Sequence, residues 1–126
     1  MFVINDDKSV YLTRGDIALI SVGATIYENE TYMFCPGDVV RLRILEKKNC
    51  NVVVLQKDVL VQSETPTVDI RLTRNDTKIG NIISKPVDYW YEIELNPDTV
   101  PQTIVGYDVD GPKIFRLFPE GDDADE

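Results

Sequence analysis

The chain has 126 residues, of which 43% are hydrophobic and 28% are charged. This balance is typical of one globular domain that buries its own core, and it excludes a wholly disordered chain. Thirteen basic residues stand against 22 acidic ones, the net charge is -9, and histidine is missing. The negative charge disfavours nucleic acid and anionic membranes as partners. The missing imidazole excludes Ser-His-Asp and Cys-His catalytic systems and histidine-ligated zinc.

Cys35 and Cys50 are the only cysteines, and they flank one predicted strand. Because a strand rises about 3.3 Å per residue, its two ends lie beyond disulfide reach. We therefore expect both thiols to be reduced, and we expect neither a metal site nor a cofactor. The sequence opens without a signal peptide, and no apolar run approaches a membrane span of about 20 residues, which predicts cytoplasmic synthesis.

Apolar and polar residues alternate with a period of two along much of the chain, which is the pattern of strands with one buried face. In Val39–Glu46, for example, Leu42 and Ile44 alternate with Arg41 and Arg43. The segments predicted as strands are Ile17–Val22, Val39–Glu46, Val52–Lys57, Val59–Gln62, Thr67–Leu72, Tyr89–Leu95, Thr103–Val109 and Lys113–Phe118.

Turn residues separate these segments. The pair Asp110-Gly111 suits the positive φ angles of a type I′ turn, so we predict that it joins Thr103–Val109 and Lys113–Phe118 as a hairpin.

One stretch departs from the strand pattern. It begins with Thr73, a favourable N-cap residue, and carries the acid Asp76 three positions later, as in a capping box. We predict a single short helix near residues 74–80, which crosses between the strand that ends at Leu72 and the strand that begins near Tyr89.

Short strands at regular intervals with turns between them predict an all-β fold. We expect a single antiparallel β-sandwich over residues 1–118, Ig-like or jelly-roll-like, with one short helix. Residues 119–126 are almost wholly acidic and are predicted to form a flexible tail. The predicted core comprises Ile17, Leu19, Val40, Leu42, Ile44, Val68, Ile70, Tyr91, Ile93, Ile104 and Phe115.

Three short motifs resemble functional sites. Arg14-Gly15-Asp16 is the tripeptide that integrins bind, but here it opens a predicted strand and is interpreted as a chance turn. Asp108–Gly111 begins like a calcium loop, yet the distal glutamate is missing. Glu92 and Glu94 lie about 7 Å apart on one strand face, near glycosidase spacing, but a small sandwich offers little cleft. We interpret them as a solvated face and expect no enzymatic activity.

The candidate partner-contact residues are Trp90, Arg41, Arg43, Glu92 and Glu94. Alternation places Trp90 opposite the neighbouring tyrosines, so two interpretations stay open: the helix and its following loop cover Trp90, or Trp90 belongs to a contact patch for a protein or a sugar. The two arginines form the densest positive patch and are expected to pair with acids, either within the sheet or across a subunit boundary.

Three phrases carry a resemblance: Tyr11–Asp16, Phe34–Arg41 and Lys85–Pro97. In these, the chain resembles small structural proteins of phages and prophages of Gram-positive bacteria. It is similar to the N-terminal module of phage baseplate upper proteins, where an Arg-Gly-Asp turn and a Pro-Gly-Asp turn each precede a strand. The resemblance covers roughly residues 9 to 120. It implies a β-sandwich with a structural or adaptor role in a tail or baseplate, and it implies no catalytic residue.

Taken together, the sequence predicts a non-enzymatic phage or prophage protein that acts through contacts with itself or with other phage structural proteins. It would be made in the bacterial cytoplasm and assembled into a virion or tail-like particle. The alternative is a carbohydrate- or surface-binding β-sandwich module that uses an exposed aromatic face.

Overall fold

The computed structural model describes residues 1–26, 30–48, 51–81, 83–99, 101–105 and 111–120. Within these ranges the protein is all-β apart from one short helix. The strands are β1 (Phe2–Ile4), β2 (Val10–Thr13), β3 (Ala18–Val22), β4 (Thr25–Ile26), β5 (Glu30–Thr31), β6 (Val39–Leu45), β7 (Val53–Leu60), β8 (Val68–Leu72), β9 (Val87–Leu95), β10 (Gln102–Val105) and β11 (Lys113–Phe118), and the helix is α1 (Arg74–Thr77).

Seven strands form one large sheet in the order β1-β2-β11-β9-β6-β7, with β10 also paired to β9. Most neighbours are antiparallel, but β11 and β2 run parallel, with Phe115 opposite Val10 and Leu117 opposite Leu12. The expectation of a purely antiparallel sheet is therefore wrong. The sheet is mixed because β11 lies between β2 and β9 and runs parallel to β2 but antiparallel to β9.

A second, smaller layer consists of β3 and β8, which pair antiparallel through five residues each. Ile20 of β3 and Ile70 of β8 belong to the same core cluster as Leu42 of β6, Ile93 of β9 and Phe115 of β11. The fold is thus β-sandwich-like, with one core between a seven-stranded and a two-stranded sheet. An immunoglobulin domain divides its strands four and three, so an Ig-like or jelly-roll-like architecture is not confirmed.

The core prediction holds for most residues and fails in β3. Ile17 and Leu19 are 51% and 48% exposed, whereas Ala18, Ile20 and Val22 are buried. Because side chains alternate along a strand, a shift of one residue moves the whole set to the other face. Ile104, another predicted core residue, is partly buried against the core.

The predicted hairpin at Asp110-Gly111 is also wrong, although Asp110 itself lies outside the described residues. Both β10 and β11 pair antiparallel with β9, so they run in the same direction, one after the other. A two-residue hairpin would reverse the chain. The strands predicted at Val52–Lys57 and Val59–Gln62 are likewise one continuous strand, β7.

The helix is confirmed, with a shorter extent than predicted. Thr73 accepts from the Asp76 backbone N–H and the Asp76 carboxylate accepts from the Thr73 backbone N–H, which is a complete capping box. Thr77 is fully buried, and its hydroxyl donates to the Asp16 carbonyl at 2.7 Å. The helix therefore closes the core beside the start of β3.

Candidate protein-contact surface

The five predicted contact residues lie together on one face of the large sheet. In the antiparallel pair of β6 and β9, Arg41 stands opposite Glu94, Arg43 opposite Glu92, and Leu45 opposite Trp90. Their alternate neighbours in both strands are buried in the core. We call this side, which faces away from the core, the outer face; it comprises Arg41, Arg43, Leu45, Asp58, Trp90, Glu92, Glu94, Asp98 and Ile114, of which Leu45 is itself buried.

Arg41 is held by two carboxylates that the sequence did not suggest. Its Nε and Nη2 donate to Asp58 at 2.9 and 3.0 Å, and Nη2 also donates to Asp98 at 3.0 Å. Asp58 stands directly opposite Arg41 in β7. Hydrogen bonds from Arg41 lower the pKa of Asp58 and outweigh the opposing effect of burial. The charge of Arg41 is thus neutralised inside the chain.

Arg43 has looser partners. Its Nη1 lies 3.6 Å from the Glu94 carboxylate and 3.9 Å from the Glu92 carboxylate, both longer than a hydrogen bond. Its Nε–H is buried and has no acceptor among the described residues. Both arginines therefore pair with acids within the chain, but Arg43 does so with incomplete hydrogen bonding.

Two glutamates share this single guanidinium. Burial and then the negative charge of Glu94 raise the pKa of Glu92, and Arg43 counteracts them only in part. The ionised form of Glu92 is therefore disfavoured where it stands. The outer face therefore carries an excess of negative charge at this point, with two carboxylates beside one guanidinium.

An apolar row crosses the outer face beside these charges. Trp90 lies between Leu45 of β6 and Ile114 of β11 in the sheet register, and Trp90 and Ile114 are half-buried. The interpretation that the helix and its loop cover Trp90 is not supported. Ile79 is part of the core and Ile83 packs against it, on the opposite side of the sheet, while Ile82 lies outside the described residues.

A second cluster of charges serves the fold and explains the Arg-Gly-Asp motif. Arg14 is 8% exposed; it donates to the carbonyls of Ile79 and Gly80 at 3.2 and 2.8 Å and to Glu120 at 2.6 Å. We call these four residues the Arg14 cluster. A buried guanidinium is no integrin ligand, and Glu120, assigned by sequence to the tail, is bonded to the turn that follows β2.

Of the other sequence candidates, Cys35 is a free, exposed cysteine. Cys50, residues 108–110 of the calcium-like motif and residues 121–126 of the tail lie outside the described residues. Asp58, Asp98, Leu45 and Ile114 were missed as members of the outer face. For Asp58 a signal existed, because a strand of alternating character next to β6 places its polar residues beside those of β6.

In the part of the chain that the structure describes, no helix has the length and apolar character that crossing a bilayer requires. Across the same residues, no group of three or more cysteine and acidic side chains is arranged to hold a metal ion. The sequence matches no protein-family model, and no curated protein or solved structure is significantly similar to it.

Proposed function

We propose that this protein is a non-enzymatic structural or adaptor protein of a phage or prophage particle, associated with the tail or baseplate, and that its outer face makes the protein–protein contact. One observation carries the contact surface: Trp90 and its apolar neighbours lie on the side of the central strands that faces away from the core. An aromatic centre within a polar rim is the usual composition of a protein interface.

The position of this surface in the sheet adds support. β6 and β9 are flanked by strands on both sides, so their backbone geometry is fixed by hydrogen bonding on each edge. The backbone that carries these side chains is therefore ordered before a partner arrives, which lowers the entropic cost of binding.

The phage assignment rests on the resemblance in the turn motifs. Gly15 and Gly37 both adopt positive φ angles, 90° and 98°, shortly before β3 and β6. These are the turns that the resemblance depends on, and glycine is the residue that allows them without strain.

Site-specific photo-crosslinking tests the proposal. A photo-reactive phenylalanine analogue replaces Ile114 on the outer face in one variant and Leu19, which is exposed on the smaller sheet, in the other. Both are expressed in a bacterial strain that carries the gene, and crosslinked products are identified by mass spectrometry. We expect crosslinks to structural proteins of a phage particle from position 114 only. Crosslinks of equal yield from both positions, or none to a particle protein, would contradict the proposal.

The alternative function is a carbohydrate- or surface-binding module. The position of Trp90 outside the core also favours this, because an indole ring on a sheet face is a stacking platform for sugars. A glycan-array signal that disappears in Trp90→Ala, without crosslinks to particle proteins, would replace the adaptor proposal with this one.

A further inference from the structure

The outer face has more negative than positive charge. Four carboxylates, those of Asp58, Glu92, Glu94 and Asp98, surround two guanidiniums, while the remaining charges of this face among the described strand residues, Asp88 and Arg116, neutralise each other. Arg41 donates hydrogen bonds to two of these carboxylates, so its positive charge is already neutralised and does not attract an acidic partner. The positive patch that the sequence suggested is neutralised within the chain, and the surplus is acidic.

This surplus is concentrated at Glu92 and Glu94. Among the described residues neither carboxylate accepts a hydrogen bond, and their shared partner, Arg43, stays 3.6 Å or more away. Their side chains are 23% and 20% exposed, so their oxygens are reached from the solvent side of the sheet but are poorly solvated. An added ammonium or guanidinium would meet two carboxylates with free lone pairs.

An apolar contact lies next to this acidic pair. Trp90 stands two residues before Glu92 in β9, on the same face and about 7 Å away. Its indole ring provides a surface for an aliphatic side chain or for the stem of a lysine. The acidic pair and the neighbouring indole ring together form a site for a cation that lies beside a hydrophobic group.

Two other occupants fit the charges poorly. A second copy of this chain carries the same net charge of -9, so it would approach this acidic face against overall repulsion. The acidic residues at the C-terminus, 121–126, would be repelled as well.

We infer that the outer face binds a basic segment of a different protein, in which lysine or arginine side chains alternate with apolar ones. The segment places a cation against Glu92 and Glu94 and an apolar side chain against Trp90. This inference rests on the proposed function, since it specifies the partner of that surface.

The test is an NMR titration of the 15N-labelled full chain with two amidated pentapeptides. One alternates lysine and leucine and the other alternates glutamate and leucine. Trp90 is the only tryptophan, so its indole N–H resonance reports on the face without ambiguity. The variant Glu92→Gln with Glu94→Gln is compared with Glu30→Gln with Glu64→Gln, which removes the same charge at exposed positions elsewhere.

We expect the lysine peptide to shift the Trp90 indole and the amides of β6 and β9. Its affinity should fall about fivefold or more in Glu92→Gln with Glu94→Gln, but no more than about twofold in the control pair. Raising the salt from about 50 mM to about 500 mM should weaken binding further.

The failures are distinguishable. If both peptides shift the outer face equally, or both double variants bind equally, the basic partner is wrong while the contact surface stands. If neither peptide shifts any outer-face resonance, the basic partner is wrong, and the contact surface is decided separately by crosslinking from position 114. Spectra of the free variants show whether each one is folded.

Discussion

The Arg14 cluster and the outer face use the same residue types for different purposes. In the Arg14 cluster one guanidinium donates to one carboxylate and to two backbone carbonyls at 3.2 Å or less, and more weakly to a third carbonyl, that of Lys78, at 3.4 Å. On the outer face Arg43 lies between two carboxylates and reaches neither at hydrogen-bond distance.

The difference shows how to separate structural from available charges. A buried charge with a hydrogen-bond partner for each of its nitrogens holds distant segments together, here the turn after β2, the loop after α1 and Glu120. Half-buried charged side chains whose charges do not balance, such as those of the outer face, can still form ion pairs with a partner. Substitutions in the first region should therefore act on stability, and those in the second should act on binding.

The largest expected effect is at Arg14. Arg14→Ala leaves the Glu120 carboxylate without its cation and two carbonyls without a donor. Because breaking a buried ion pair costs about 3–5 kcal/mol, we expect the free energy of unfolding in urea to fall by about 3 kcal/mol.

The matched control is Arg41→Ala. Its ion pairs are solvent-accessible, so the loss should be only about 0.2–1 kcal/mol. Equal losses at Arg14 and Arg41 would contradict the distinction between the two regions.

Two tyrosines have raised pKa values and therefore make the stability of the fold depend on pH. The hydroxyl of Tyr32 donates to Asp38 at 2.8 Å, and this bond raises the pKa of Tyr32 from 10.0 to about 12. Burial raises the pKa of Tyr91, whose hydroxyl donates to the Lys8 carbonyl, to about 12 as well.

Because these pKa values are higher in the folded protein than in the unfolded chain, their stabilising effect is complete below about pH 10 and is lost as the pH rises through about 12. Urea unfolding at several pH values in this window should show a steep loss of stability. Tyr32→Phe with Tyr91→Phe should be less stable at pH 7 and lose less stability in the window. A parallel decline of both proteins would refute the assignment.

A smaller effect is expected at Lys8, in the turn between β1 and β2. Lys8 has a φ of 75°, in the left-handed region that is costly for residues with a side chain. Lys8→Gly should therefore stabilise the protein by about 1 kcal/mol, measured as the free energy of unfolding. Lys8→Ala removes the same charge without relieving the backbone, so a gain of equal size in both would rule out the backbone explanation.

The smallest effect on stability is expected at Glu92. Its raised pKa means that ionising Glu92 costs stability as the pH rises above the ordinary value of 4.5. Glu92→Gln should therefore raise the melting temperature slightly at pH 7 and leave it unchanged near pH 4. Glu64→Gln, at an exposed position, should change it at neither pH; a loss of stability in Glu92→Gln at pH 7 would contradict the account.

Sequence patterns predicted the two faces of β6 and β9 well, because Val40, Leu42 and Ile44 alternate strictly with polar residues. They failed in β3, where Ile17, Leu19 and Ile20 supply apolar side chains in both phases and indicate no preferred face. Alternation alone therefore does not show which of these side chains are buried. The pairing of β3 with β8 determines this.

The ion-pair partners that are distant along the chain could not be predicted from the sequence, for a different reason. Glu120 is 106 positions from Arg14, and Asp98 is 57 positions from Arg41. Neither pairing leaves a local pattern, because sheet order and loop path bring these residues together. Alternation placed Arg41 and Arg43 on the outward side of one strand and Trp90, Glu92 and Glu94 on that of another, and the register of β6 and β9 brings them onto one face. The sign of the surplus charge on this face could be read only from the partners of Arg41.

The most direct test of the central claim uses the fluorescence of Trp90, the only tryptophan of the chain. Its emission maximum and its quenching by acrylamide are measured in the free protein and in the complex with the partner identified by crosslinking. If the outer face is the contact surface, the emission shifts to shorter wavelength and quenching falls on binding. A complex that forms with unchanged emission and unchanged quenching would place the contact elsewhere and contradict the account.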